Sequence, residues 1–158
     1  MSSYNIPLIS IPLYYILALI PHGIAISRAN AGNINTHHNE NPQGAAYLEY
    51  LKKKLPPREL AAFERAKACH KNHMENMPLF IAAVFAGLFA NARLGEDQVG
   101  LNRFVVGWMV SRVLYTVAYI KTETRAWARL RSILYFFCTG IAFAVLIRSA
   151  RVLGNPAA

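Results

Sequence analysis

Acidic residues are scarce in this chain: 8 Asp and Glu stand against 17 Lys and Arg over 158 residues, a net charge of +9. An excess of that size first suggests nucleic acid. No zinc-finger, helix-turn-helix or RNA-binding signature accompanies it, and the cations are not gathered on one soluble module. They flank hydrophobic runs, where the interfacial preference of basic residues accounts for them, so no nucleic-acid partner is expected. Cysteine is almost missing too. Cys69 and Cys138 fall in predicted helices without metal-ligand spacing, which leaves them as buried free thiols. The pair His37-His38 has no third ligand at a suitable spacing, so no metal site is expected. Ser, His and Asp occur, but without a nucleophile elbow. There is no internal repeat or low-complexity tract. The N-terminus lacks a basic leader, and its apolar stretch is too long for a cleavable signal, so it reads as a retained first span.

What the chain does have is apolar residues, 54% of the total, with a mean hydropathy of +0.24. They come in long blocks with the charges between them, the layout a bilayer imposes. The expected fold is all-α, an integral membrane four-helix bundle in a single domain. Its spans are expected at about residues 6–28, 58–92, 103–121 and 127–152. The first runs from Ile6 to Ile26 without a formal charge, and at ~1.5 Å per residue it covers a hydrocarbon core of ~30 Å. Pro7, Pro12 and Pro21 are tolerable there, because neighbouring helices compensate lost hydrogen bonds. Residues 29–57 form a polar connector with one short amphipathic helix in AAYLEYLKKKL, and Pro56-Pro57 sets up the next helix. The second span is unusual. Its first half carries Arg58, Glu59, Glu64, Arg65, Lys67, Lys71 and Glu75, and only Met77 to Ala92 is almost wholly apolar. That half is too short to cross alone, so the helix brings polar groups into the membrane or projects beyond it. The first and third connectors are the more basic, which places them in the cytosol and both termini on the lumenal side.

Ionisable groups inside spans are expensive and are functional candidates by default. On a helix, Arg65, Cys69, Asn72 and Asn76 share one face, with Glu75 a turn after Asn72 and His70 beside the stripe. Amides, a carboxylate, an imidazole and a cation at the polar end of a span suit a small zwitterionic ligand. They also suit a structural role in gluing helices, with Arg112 as the partner of Glu75. Arg112, Tyr115 and Tyr119 share a face of the third span, where the tyrosines suit a binding role and a role as core or interfacial aromatics equally well. In the fourth span, Arg125 and Arg129 are ordinary membrane-flanking cations. Arg131 is less ordinary, because the apolar run begins directly after Ser132, and an arginine there can stabilise an anion such as a thiolate.

Three segments together carry a family resemblance. Glu64-Arg65 … His70-Lys71-Asn72 … Glu75-Asn76 … Pro78 resembles the second-helix signature of the MAPEG family, the membrane-associated proteins in eicosanoid and glutathione metabolism. The closest form is the microsomal glutathione transferase. Arg112-x-x-Tyr115-Thr116-Val117-Ala118-Tyr119 resembles the third-helix motif, and Arg131-Ser132-x-x-Tyr135 the start of the fourth helix. The matches fall in order along the whole chain.

The resemblance implies a homotrimer in the endoplasmic reticulum or another intracellular membrane, with glutathione as co-substrate bound between subunits near the cytosolic face. Arg28, Arg65, His70, Asn72, Glu75, Arg112, Tyr115, Tyr119 and Tyr135 would contact glutathione or its supporting network. Arg131 would be the catalytic residue that stabilises the thiolate. The thiolate would then attack a lipophilic electrophile arriving from the bilayer or reduce a lipid hydroperoxide. This makes the chain a transferase with possible peroxidase activity. The same scaffold also serves specialised lipophilic-metabolite enzymes, isomerases or cyclases, and non-catalytic lipid-presenting proteins. Three departures matter, one of them a loop between Tyr119 and Arg131 that is longer than in well-known members. Ala68 stands where members commonly have arginine, with Lys67 one residue earlier, and Tyr115 replaces the histidine of the prostaglandin synthase branch.

Overall fold

In a computed structural model of the protein, residues 4–31, 41–42 and 44–155 are described. The His37-His38 pair lies outside them. The described residues form helices without strands: α1 (Ile6–Ala29), α2 (Ala45–Lys54), α3 (Pro57–Leu94), α4 (Leu101–Ile120) and α5 (Arg125–Gly154). Their limits fall within a few residues of those expected, and α2 is the short helix foreseen in the connector.

The helix ends follow from local chemistry. The Asn5 side chain accepts the Leu8 N–H at 3.0 Å, and Pro7 occupies the first turn of α1, where no backbone donor is needed. At the far end of α1, the Asn30 amide donates back to the Ile26 carbonyl. Pro57 opens α3, and Gly95 closes it at φ +78°, a left-handed cap that favours glycine. No residue caps α4 from the usual position. Instead Asp97 reaches forward to accept the N–H groups of Leu101 (2.7 Å) and Asn102 (3.0 Å), and it also accepts the Asn91 amide (2.9 Å). Burial opposes its charge, but these hydrogen bonds outweigh burial and hold its carboxyl below the usual aspartate range.

The helices run up and down. Arg28 bonds Glu59, and Arg65 bonds the Ile120 carbonyl, so the end of α1, the starts of α3 and α5 and the end of α4 share one end of the bundle with α2. At the opposite end Arg93 of α3 donates to the Leu153 and Asn155 carbonyls, and Arg148 of α5 donates to that of Val99. The core between is aromatic: Phe80 stacks on Trp108 at 5.1 Å, and Tyr14 stands edge-on to Trp108 at 5.7 Å. Gly87 lets α3 approach α4 closely, since a Cβ there would lie 2.8 Å from Leu101 Cδ1.

Four spanning helices are expected from the sequence. Three of them, α1, α3 and α5, are long and apolar enough to cross a membrane. The remaining long helix, α4, does not reach that standard, because Asn102, Arg103 and Arg112 dilute its twenty residues.

Candidate functional site

The polar half of α3 faces two ways, and that division organises the site. Its inner face carries Cys69, His73 and Asn76, all buried against α1, α4 and α5. Its outer face carries Lys71 and Glu75, which pair with each other at 3.7 Å, their side chains 77% and 57% exposed. Asn72 lies at the boundary. Its side-chain oxygen accepts Arg112 Nη1 at 3.1 Å.

Arg112 therefore does not pair with Glu75, the partner anticipated from sequence. Glu75 lies on the outer face of α3, whereas Arg112 approaches the boundary at Asn72. Arg112 is fully buried, its guanidinium 4.7 Å from the Trp108 ring centroid and 5.2 Å from that of Tyr115. Among the described residues, its Nε and Nη2 have no hydrogen-bond partner. Spreading a cation over two π faces and one amide is a costly arrangement inside an apolar bundle, which makes the position a functional candidate.

From Arg112 a column of rings leads towards the α2 end. Tyr115 packs against Tyr119 at 5.4 Å, and the Arg131 guanidinium sits 4.4 Å above the Tyr119 ring. Steps of three and four put Arg112, Tyr115 and Tyr119 on one face of α4, and that face meets the start of α5. Arg131 is half-buried and, among the described residues, forms no ion pair. It borders a groove of ≈ 610 Å³ with Arg125, Arg129 and Ser132 at one end and Ile133 and Phe136 at the other. Tyr135, one turn further along, is half-buried and packs against Phe136.

Arg28 and Arg65 occupy a second cleft, ≈ 480 Å³, with Arg58, Lys121, Glu59 and Glu123. Arg28 bonds Glu59 at 3.0 Å, and Arg65 lies 3.7 Å from Glu123. His70 sits apart from both. Pro21 has no N–H for the Leu17 carbonyl, and in the same turn of α1 the Ala18 carbonyl accepts His70 Nδ1–H at 2.8 Å. The other face of the His70 ring is 4.8 Å from the ring of His22.

The sequence-derived residues thus separate into two groups and two single positions. Asn72, Arg112, Tyr115, Tyr119 and Arg131 form one connected column, with Tyr135 beside it. Arg28 and Arg65 share the cleft at the helix ends. Glu75 faces outward, and His70 is turned to α1. Within the chain Arg112 and Tyr115 are buried, and they pack beneath the half-exposed Tyr119 and Arg131.

Sequence reasoning passed over His73, with its partners Tyr14 and Thr116. His73 is fully buried, its Nε2 2.9 Å from Thr116 Oγ1 and its Nδ1 3.3 Å from the Tyr14 hydroxyl. The signal was present: an imidazole on the buried side of a span, four residues after Cys69, is itself a costly group. Lys67, which stands beside the missing arginine at Ala68, is exposed and lies over the Phe63 ring at 5.9 Å rather than over the column.

No curated protein and no solved structure matches this chain. A family model does: the MAPEG family model matches residues 8–151, a stretch that includes every one of these groups. With nearly the whole chain inside that match, the protein belongs to the MAPEG family.

Proposed function

We propose that the protein is a membrane-bound glutathione transferase that activates the thiol as a thiolate beside Arg131 and delivers it to lipophilic electrophiles or hydroperoxides. Family membership supports a glutathione-related or eicosanoid-metabolising membrane role, and the arginine–tyrosine column is the observation that carries the finer reading. Arg131 has no carboxylate partner among the described residues, so its charge remains available to an incoming anion. The thiol proton leaves to solvent, and the sulfur then forms a bond to the electrophilic carbon as the leaving group departs. With a hydroperoxide, attack at oxygen gives a sulfenate and an alcohol, and a second glutathione completes the reduction to disulfide and water.

In this reading α4 also crosses the bilayer, its Arg112 sheltered by Asn72, Trp108 and Tyr115, and the termini lie on the lumenal side. The outward Lys71–Glu75 pair supports a homotrimer, because an exposed ion pair is unfavourable against lipid and is accommodated by a neighbouring copy around bound glutathione. Arg28 and Arg65 then hold the peptide's carboxylates from the helix-end cleft, while His70 and Tyr135 complete its surroundings.

The test is a glutathione titration of the detergent-purified protein, followed by thiolate absorbance. A signal that saturates, and that Arg131→Ala lowers by more than tenfold at pH 7 in a folded protein, is expected. Absence of any signal at saturating glutathione would sink the proposal. A second reading, an isomerase or cyclase of one lipophilic metabolite, draws on Ala68 and on the outward turn of Lys67, which leave one fewer cation for the peptide. That enzyme would turn over its metabolite without conjugating generic electrophiles, whereas a lipid-presenting scaffold would do neither.

A further inference from the structure

His73 ties three helices together at a single point. It belongs to α3, its Nδ1 meets the Tyr14 hydroxyl of α1, and its Nε2 meets Thr116 Oγ1 of α4. The protons in this network can be assigned from the partners. Thr116 donates its hydroxyl hydrogen to the Arg112 carbonyl at 2.8 Å, so towards His73 it is an acceptor, and His73 carries its proton on Nε2. Nδ1 is then an acceptor, and the Tyr14 hydroxyl is shared between it and the His73 carbonyl, both at 3.3 Å. Every polar atom of the imidazole is satisfied by a group on another helix.

Where this lock falls on α4 gives it a functional meaning. Thr116 lies one turn after Arg112 and next to Tyr115, whose ring stands edge-on to the His73 imidazole at 5.8 Å. On α3 the preceding residue, Asn72, holds Arg112 Nη1. Two consecutive α3 residues therefore grip one turn of α4, the turn that presents Arg112 and Tyr115. We propose that His73 is a positioning residue for the glutathione site. Its Nε2–H···Thr116 bond fixes the rotation and depth of α4, and so keeps Arg112 over Trp108 and Tyr115 beneath Tyr119 and Arg131. This rests on the glutathione reading for its effect on ligand, but not for its effect on Arg112.

A single substitution that leaves a buried partner unsatisfied disturbs folding as well as position, so the decisive variant removes both ends of the bond. His73→Leu with Thr116→Val replaces the pair by apolar groups of similar size, a change that is close to neutral for stability. His73→Gln keeps a donor near the Nε2 position and serves as the conservative rescue, while His73→Asn places its amide near Nδ1 and does not reach Thr116. Two readouts are compared in a Trp127→Phe background: Trp108 emission, which reports the guanidinium against its ring, and glutathione affinity from thiolate absorbance. The double variant is expected to melt close to the parent, to shift Trp108 emission and to bind glutathione about tenfold more weakly, with the thiolate signal at saturation retained. His73→Gln is expected to restore both readouts, and His73→Asn neither. Parental emission in the double variant overturns the proposal, and so does parental affinity. If the parent itself yields no thiolate, the glutathione reading fails on that result alone, and the emission shift still decides whether His73 holds Arg112.

Discussion

Replacing Arg131 by alanine removes the one cation in the ring column that a ligand can reach. Its guanidinium rests on the Tyr119 ring at 4.4 Å and has no carboxylate neighbour among the described residues, so a full unit charge faces the groove. A thiolate in contact, about 4 Å away, gains roughly 4 kcal/mol at the effective dielectric of a protein surface. Arg131 is only half-buried, and solvent screening reduces this to about 2 kcal/mol. That energy lowers a thiol pKa by roughly 1.5 units, from about 8.5 to about 7. At pH 7 about half of the bound thiol is then ionised, against about 3% for an unperturbed thiol. Arg131→Ala should therefore reduce thiolate absorbance at saturating glutathione by more than tenfold, and the midpoint of its pH titration should rise to that of the free thiol. Arg131→Lys keeps the charge without the planar stacking on Tyr119 and should fall between the two. The assay is an absorbance titration across pH in detergent, with thermal melting as the control for folding. A thiolate midpoint unchanged in Arg131→Ala would refute the electrostatic reasoning, whatever happened to turnover.

Two predictions concern the scaffold. Asp97→Ala removes the side chain bonded to the free N–H groups of Leu101 and Asn102, and should cost about 1 kcal/mol, seen as a lower melting temperature. Because the folded carboxyl is held below the ordinary aspartate value, its contribution is fully present above about pH 4. It is lost as the pH falls through the lower folded value, so the variant should melt with less acid sensitivity than the parent; equal acid sensitivity would count against this role. Gly87→Val overfills the α3–α4 contact at Leu101 and should cost about 1–3 kcal/mol by thermal melting, while Gly87→Ala should be milder because the Leu101 side-chain tip can shift.

Much of the fold was legible because a bilayer and a helix each impose a simple period. Uncharged blocks mark α1 and the apolar half of α3, and prolines, glycines and polar clusters mark their ends to within a few residues. The helical period also put Arg112, Tyr115 and Tyr119 on one face before any packing was considered. Rotation about each helix axis was not legible. Glu75 and Asn72 are nearly neighbours on α3, and sequence favoured the charged one as the partner of Arg112. The packed helices choose the amide, because Glu75 points away from α4. His73 escaped notice for the same reason, since its importance depends on a tyrosine 59 residues earlier and a threonine 43 residues later.

The sequence by itself determined that this chain is helical, that its basic residues edge apolar blocks, and that its MAPEG motifs lie in family order. Only tertiary structure decided which of those residues work together. A hydrophobic block is recognised from its own residues. Whether a buried arginine meets an amide, a carboxylate or an aromatic ring depends on how two helices are turned towards each other, and that angle is set by packing along their whole length.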